Sequence, residues 1–344
     1  MPNVQLLPNV QLYCDTVENI LPHLDSASAD GVLCDPPYGI DLDAWDAHVP
    51  LKAVWDELFR IMKPGANLMA FAYPRMHHRA ATLIEGSGLT ITDELMWLRT
   101  GFPRQSSVAR SIDNEKLNPR DRRGFKDGRR ACGKWPLSPI RGEKYKPRTR
   151  ASKPWIAYNP ALKPGYELVI LSRKPLDGTL AHNALKWGVG GLNVGNCRVG
   201  EEELGNRYHR GHELISKSQE GRFPANLILD EDVATLLDNG NAAKPSRFYY
   251  HPRVSPQERT AGLTTGTNDH PSLKPISLTQ WLANLILPPK RATTPRRLLV
   301  PFCGTFSEII GAIRAGWDEV IGIEMSEHYC DIGKQRLQYW CKLA

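Results

Sequence analysis

The chain has 344 residues, 41% of them hydrophobic and 24% charged, which excludes a disordered, fibrous or membrane protein and leaves room for a full α/β core. No apolar run approaches the roughly 20 residues of a membrane span, and the initial MPNVQLLPNV lacks the basic start and apolar core of a signal peptide, so a cytoplasmic protein is expected. The seven cysteines include no Cys-x-x-Cys pair, which argues against a disulfide framework or a zinc cluster.

The net charge of +7 is unevenly spread: residues 103–163 hold 17 Lys and Arg against five Asp and Glu, so the remainder is net acidic. A basic block inside a mildly acidic protein reads as a polyanion-binding surface.

In chain order, residues 17–24 form a short helix candidate, and 31–34 (GVLC) read as a buried strand with a turn behind it. Residues 51–62 place Leu51, Val54, Trp55, Leu58, Ile61 and Met62 on one helical face, and Lys63-Pro64-Gly65 stops that helix. A second strand is predicted over 67–72, a helix over 77–85 and a third strand over 94–98. From 103 to about 164, Gly, Pro, Arg and Lys dominate, with Trp135, Tyr145, Trp155 and Tyr158 interspersed; such a stretch builds little core by itself. YELVIL, 166–171, returns as a strand, and 176–269 is mixed and glycine-rich, with one short strand candidate at 226–229. The α/β signal then resumes with a helix at 276–287, a strand at 298–300, a helix at 307–315, a strand at 319–323 and a closing helix at 327–340. Strands alternating with helices at both ends imply a parallel sheet assembled from two distant pieces of sequence.

Asp35-Pro36-Pro37-Tyr38 follows the strand ending at Cys34. In α/β sheets ligands bind beyond the carboxyl ends of the strands, so these residues are expected at an active-site lip. Their chemistry suits methylation of an aromatic amine, whose lone pair is delocalised into its ring. A carboxylate (Asp35) and a main-chain carbonyl (Pro36) can each accept one N–H and steer the lone pair toward a methyl donor. Pro36 and Pro37 fix the turn without offering competing N–H groups. Tyr38 is expected to stack on a base flipped from the duplex.

DPPYG near the N-terminus with a cofactor signature near the C-terminus resembles the circularly permuted beta class of DNA amino-methyltransferases. The resemblance runs over nearly the whole chain. Asp15 in YCDTVENI resembles the acidic residue before the DPPY strand, MKPGANLMAF the central strand, and ELMWLRTGFP the strand after it. NPALKPGYELVILSRKP (159–175) and LNVGNCR (192–198) resemble segments of a phage-type subgroup of site-specific methylases, and His270-Pro-Ser-Leu-Lys274-Pro275 resembles the motif beside the cofactor.

The resemblance implies a Rossmann-like S-adenosylmethionine-dependent methyltransferase sheet. Phe302, Gly304 and Thr305 would line the cofactor pocket, with Met325 near the adenine. His270, Lys274 and Pro275 would complete the wall, and Asp15 belongs to the same set. Glu324 ends the next strand 20 residues after Gly304, where an acid can hold ribose hydroxyls. One departure stands out: the family reads D-P-F-x-G-S-G-T-T where this chain reads VPFCGTFSE. Val300 replaces an aspartate, Phe306 a glycine and Glu308 a threonine, which puts cofactor affinity in question.

The expected organisation is a catalytic core from 1–102, 166–175 and 270–344, a basic DNA-facing insertion at 103–165 and a target recognition region at 176–269. Arg207, His209, Arg210, His212 and Arg222 are base-contact candidates. The expected reaction moves a methyl group from S-adenosylmethionine to adenine N6 in double-stranded DNA, in a restriction-modification or phage setting. The chemistry calls for no metal, and His77-His78 lacks a third ligand. A homodimer is compatible with this reading, and the oligomeric state stays open. Three alternatives remain: cytosine N4 as target, an RNA or protein amide substrate, and a non-catalytic DNA-binding protein on a decayed scaffold.

Overall fold

The structure, a computed structural model, describes residues 3–100, 107–117, 145–204, 219–252, 256–264, 266–290 and 295–342. It divides into two compact units, one formed by 1–98 with 166–344 and the other by Arg99–Gly165.

In the larger unit, β1 (Asn3–Leu7) and β2 (Val10–Cys14) form a hairpin, α1 (Val17–Ile20) follows, and β3 (Ala29–Cys34) leads to α2 (Lys52–Ile61). The chain continues as β4 (Met62–Ala72), α3 (His77–Gly86) and β5 (Thr90–Leu98). In the smaller unit lies α4 (Val108–Lys116). After it come β6 (Tyr166–Arg173), α5 (Leu180–Trp187), β7 (Val199–Leu204), β8 (Gln219–Arg222), β9 (Leu227–Leu229) and α6 (Glu231–Asp238). The C-terminal piece is α7 (Ile276–Leu285), β10 (Arg297–Pro301), α8 (Ser307–Ala315), β11 (Glu319–Glu324) and α9 (Glu327–Lys342).

The main sheet runs β1-β2-β11-β10-β3-β4-β6-β5-β9, while β7 and β8 pair separately. Strands β2, β11, β10, β3 and β4 are mutually parallel, and β6 runs against both of its neighbours. This is a mixed α/β, Rossmann-like sheet. Its centre joins the two ends of the chain: Leu298 and Leu299 of β10 pair with Gly31 and Val32 of β3. From β10 the chain crosses through α8 to β11 on one side, and from β3 it crosses through α2 to β4 on the other. The sheet order therefore reverses between β10 and β3, which opens a crevice at their carboxyl ends.

Alternation along the central strands divides the core between two faces. Leu33, Met69 and Phe71 pack with Leu278 and Leu282 of α7 and with Ile309 and Ile310 of α8. Val32, Cys34, Leu68 and Ala70 pack with Trp55 and Leu58 of α2 and with Ile84 of α3. The predicted stop at Lys63-Pro64-Gly65 is replaced by a direct change of conformation. Helix α2 ends at Ile61 and β4 begins at Met62, and Pro64 and Gly65 lie inside the strand. There the Gly65 N–H donates to the Lys174 carbonyl (3.1 Å) and the Lys174 N–H to the Ala66 carbonyl (3.0 Å), so strand bonding spans the proline.

The smaller unit is organised around Asp113, near the end of α4, whose helix is capped by Ser107. Its carboxylate accepts from the Tyr145 hydroxyl, the Arg148 N–H (2.7 Å), the Thr149 N–H (2.9 Å) and the Thr149 hydroxyl (2.7 Å). Burial opposes that charge, but hydrogen bonds led by Ser152, Tyr145 and Thr149 hold the carboxyl well below its usual range. Trp155 and Tyr158 are exposed and meet edge to face at 5.2 Å. Most of the basic run, with Trp135, lies outside the described residues, as do Arg207, His209, Arg210 and His212.

Candidate active site

Asp35 is the first residue beyond β3, and the loop it opens is held by a residue that sequence reasoning missed. Asp46 is fully buried, and its carboxylate accepts four backbone N–H groups: those of Tyr38, Gly39 (3.0 Å), Ile40 (3.3 Å) and Leu42 (2.9 Å). Burial raises its pKa despite those bonds. One side chain thus gathers the donors that two consecutive prolines and a glycine leave pointing inward. Next to it, Trp45 lies parallel to the His270 ring at 5.7 Å, which ties this loop to the HPSLKP segment.

Both carboxylate oxygens of Asp35 have partners. Oδ1 accepts from the Tyr38 hydroxyl (2.5 Å), and Oδ2 accepts from the Ser272 hydroxyl (2.9 Å) and Lys274 Nζ (2.7 Å). Lys274 is buried and also reaches the Tyr38 hydroxyl (2.9 Å) and Glu167 (3.4 Å). Burial alone would lower its pKa, but Asp35 and Glu167 turn the shift upward, so it stays protonated. Lys274, expected in the cofactor wall, is therefore the counter-ion of the DPPY carboxylate. Tyr38, expected to present its ring to a base, is buried: its ring lies 6.3 Å from that of Tyr73, and burial beside Asp35 pushes its hydroxyl pKa well up. Pro36 is buried, and its carbonyl accepts no backbone hydrogen bond among the described residues.

Across the crevice, residues 302–306 form the turn from β10 to α8. Phe302, Gly304 and Phe306 all have positive φ, at 59°, 49° and 70°. A Cβ on Gly304 would stand 2.9 Å from His270 Nε2, so glycine serves here both for conformation and for space. His270 is buried and neutral, pushed down to about 3 by burial and then by Lys274. Arg336 of α9 is fully buried and clamps the turn: its guanidinium donates to the Thr305 carbonyl, to the Thr305 hydroxyl (3.1 Å) and to the Ser307 hydroxyl (3.3 Å). Phe306 sits where the resembled family has glycine, and its ring fills space left by Gly333 of α9, where a Cβ would lie 2.5 Å away.

Glu324 ends β11; its carboxylate accepts the Gly304 N–H (2.8 Å) and the Ser326 N–H (2.9 Å), and burial raises its pKa. Asp15 follows β2, whose register sets Cys14 beside Glu324, so both acids lie at the same end of the sheet. Asp15 accepts from the Thr16 N–H (2.7 Å) and from Asn19 (2.9 Å), and those bonds lower its pKa. Pro275 caps α7. Met325 is 58% exposed.

One cleft collects much of this set, including Asp35, His270, Lys274, Phe302, Gly304 and Thr305. Two further lining residues stand out. Ser272 holds Asp35, and Glu308, on the first turn of α8, is 4% exposed. Among the described residues, no other residue donates a hydrogen bond to the Glu308 carboxylate. Burial, then the charge of Asp35, pushes it up to about 7, while Lys274 pulls it down. Carboxylates at the ends of β3 and β11 (Asp35 and Glu324), a third buried carboxylate on α8 (Glu308) and the Gly304 turn fit a cationic nucleoside cofactor. Among the described residues no group of three or more His, Cys, Asp or Glu is arranged to hold a metal ion, and no helix is long and apolar enough to cross a membrane.

No protein-family model matches the chain. Over 217 residues it is 24% identical to the type II methyltransferase M.HindIII of Haemophilus influenzae, a match that covers 49% of this chain and 60% of that relative. The chain thus spans less than two thirds of that relative's length. Among solved structures, the M1.HpyAVI–SAM complex aligns over 95% of this chain and 98% of its own at 13% identity, with a TM-score of 0.43. The PvuII DNA methyltransferase, described as cytosine-N4-specific, aligns over 95% and 86% at 11% identity, with a TM-score of 0.48.

Proposed function

We propose that this protein is an S-adenosylmethionine-dependent DNA methyltransferase that modifies an exocyclic amino group, adenine N6, and that it belongs with the phage-type, DPPY-bearing beta class. The observation that carries the reading is the meeting of Asp35, the first residue of the DPPY run, with the Gly304 turn in one cleft at the carboxyl ends of β3 and β10. The sequence similarity to M.HindIII supports it.

When bound, the cofactor supplies an electrophilic methyl group on a sulfonium. Glu324 would hold its ribose, the Phe302–Thr305 turn its nucleoside, and Glu308 its cationic half. Asp35 and the Pro36 carbonyl would accept the two protons of the target amine and aim its lone pair. The bonds around Asp35 suggest how a base enters. The Tyr38 hydroxyl occupies Oδ1, the position an amine N–H would take, while Lys274 and Ser272 keep Oδ2. In this reading the base displaces the hydroxyl, and the Tyr38 ring turns out to stack on it. Lys274 stays paired with Asp35 throughout, and the proton leaves to solvent after transfer.

Two substitutions at Tyr38 test this. Tyr38→Phe removes the competing hydroxyl and keeps the ring, so methylation should persist. Tyr38→Ala should lower it by on the order of tenfold or more, since base–aromatic stacking is worth about 1–3 kcal/mol. Equal losses in both variants would contradict the displacement step.

A further inference from the structure

Glu308 is a buried carboxylate on the first turn of α8. It lines the cleft at 4% exposure, yet no neighbouring residue among those described donates to it. The cations near it are committed elsewhere. Lys274 lies on Asp35 at 2.7 Å and Glu167 at 3.4 Å, and Arg336 donates to oxygens of Thr305 and Ser307. Val300, near the end of β10, is packed in the hydrophobic core and offers no charge. The cleft therefore encloses Asp35 and Glu308 against one ammonium, an arrangement complementary to a cation.

Resting on the cofactor reading above, we propose that Glu308 is the specificity-determining counter-charge that makes this cleft prefer the sulfonium cofactor to its neutral thioether product. S-adenosylmethionine carries a sulfonium, an ammonium and a carboxylate, for a net charge of +1. In transfer the S–CH3 bond breaks and its electron pair stays on sulfur. The amine lone pair forms the new N–CH3 bond, and the amine then releases a proton. S-adenosylhomocysteine is left with no net charge. The attraction of Glu308 for the ligand falls at that moment, which favours release of the product. The same carboxylate, pushed up to about 7 by burial and by Asp35, makes the preference depend on pH. The groups facing it are Asp35 beyond β3, Lys274 before α7 and Arg336 on α9. Lys274 stays charged and His270 neutral near pH 7.

Calorimetric titration of the full chain with S-adenosylmethionine and, separately, with S-adenosylhomocysteine tests the proposal. The unaltered protein should favour the sulfonium ligand by on the order of tenfold. That preference should grow between pH 6 and 7.5, below the roughly 7.7–8.0 range of an α-ammonium. Glu308→Gln should weaken sulfonium binding by on the order of tenfold, leave product binding within about twofold and abolish the pH trend. Retained product binding shows that the variant is folded. Equal weakening of both ligands, or an unchanged preference, overturns the proposal and leaves the cofactor reading standing. If the unaltered protein binds neither ligand, the cofactor reading falls and the proposal falls with it.

Discussion

Asp35 and Glu308 lie on the same cleft but differ in what surrounds them, and that difference sets what each substitution should do. Asp35 accepts hydrogen bonds from Tyr38, Ser272 and Lys274. Asp35→Asn keeps the shape of the side chain and loses the charge that orients the amine. It should lower methyl transfer by on the order of 100-fold or more while S-adenosylmethionine still binds. Near-normal turnover in that variant would remove Asp35 from the mechanism. Glu308 without ligand should affect stability instead. Its folded pKa, about 7, lies above its ordinary 4.5, so the folded chain holds an extra proton between those values. Its contribution is fully present below pH 4.5 and is lost as pH rises toward 7. Thermal melts of the apo protein against Glu308→Gln should show a difference that changes across that window, by at most about 1.4 kcal/mol per pH unit; parallel curves would contradict the assignment. At this scale the sequence was half legible. The strand-end positions of Asp35 and Glu324 were readable because each directly follows or ends an apolar strand. Asp46, Arg336 and the pairing of Lys274 with Asp35 were not, because each depends on which distant segments meet, and no local pattern records that. Glu308 was visible only as a departure from a motif, with no sign that it would be enclosed.

Among the elements, the turn between β10 and α8 shows how a motif can change and keep its geometry. Phe306 adopts positive φ where the resembled motif carries glycine, and its ring occupies the space that Gly333 leaves on α9. Gly333→Ala should destabilise the protein by roughly 1–3 kcal/mol through overpacking. Combined with Phe306→Gly, the same change should cost markedly less than the sum of the single effects, measured as a double-mutant cycle by denaturant melts. Additive effects would mean that the two residues do not share that space. The helices and strands around this turn were read close to their observed bounds because their apolar spacing is regular and Gly or Pro ends them. The hairpin β1–β2 went unpredicted, and so did α5 and α6. Strand β2 mixes apolar and polar residues (VQLYC), and its place is fixed by pairing with β11, more than 300 residues away in the chain. Helices α5 and α6 span only eight residues each and bury one residue apiece, too little to show a helical stripe.

At the scale of the whole molecule, the proposed function assigns cofactor binding to the larger unit and DNA binding to the Arg99–Gly165 unit, most of whose basic run lies outside the described residues. Asp113 organises the described part of the Arg99–Gly165 unit, so Asp113→Ala should loosen it without reaching the cleft. Duplex DNA binding should weaken by on the order of tenfold and lose part of its salt dependence, while calorimetry of S-adenosylmethionine stays unchanged. Undiminished DNA affinity would move the phosphate contacts elsewhere. The charge asymmetry of the chain is what points to this segment as the DNA-binding part, and composition carries no record of which bases would be read, because recognition depends on side-chain placement at the DNA. The central claim is tested most directly by incubating the purified protein with unmethylated duplex DNA and methyl-labelled S-adenosylmethionine, then digesting the DNA and identifying labelled nucleosides by mass spectrometry. The account predicts labelled N6-methyladenine; labelled N4-methylcytosine would correct the base and keep the chemistry. No labelled nucleoside, with both cofactor and DNA shown to bind, would contradict the account.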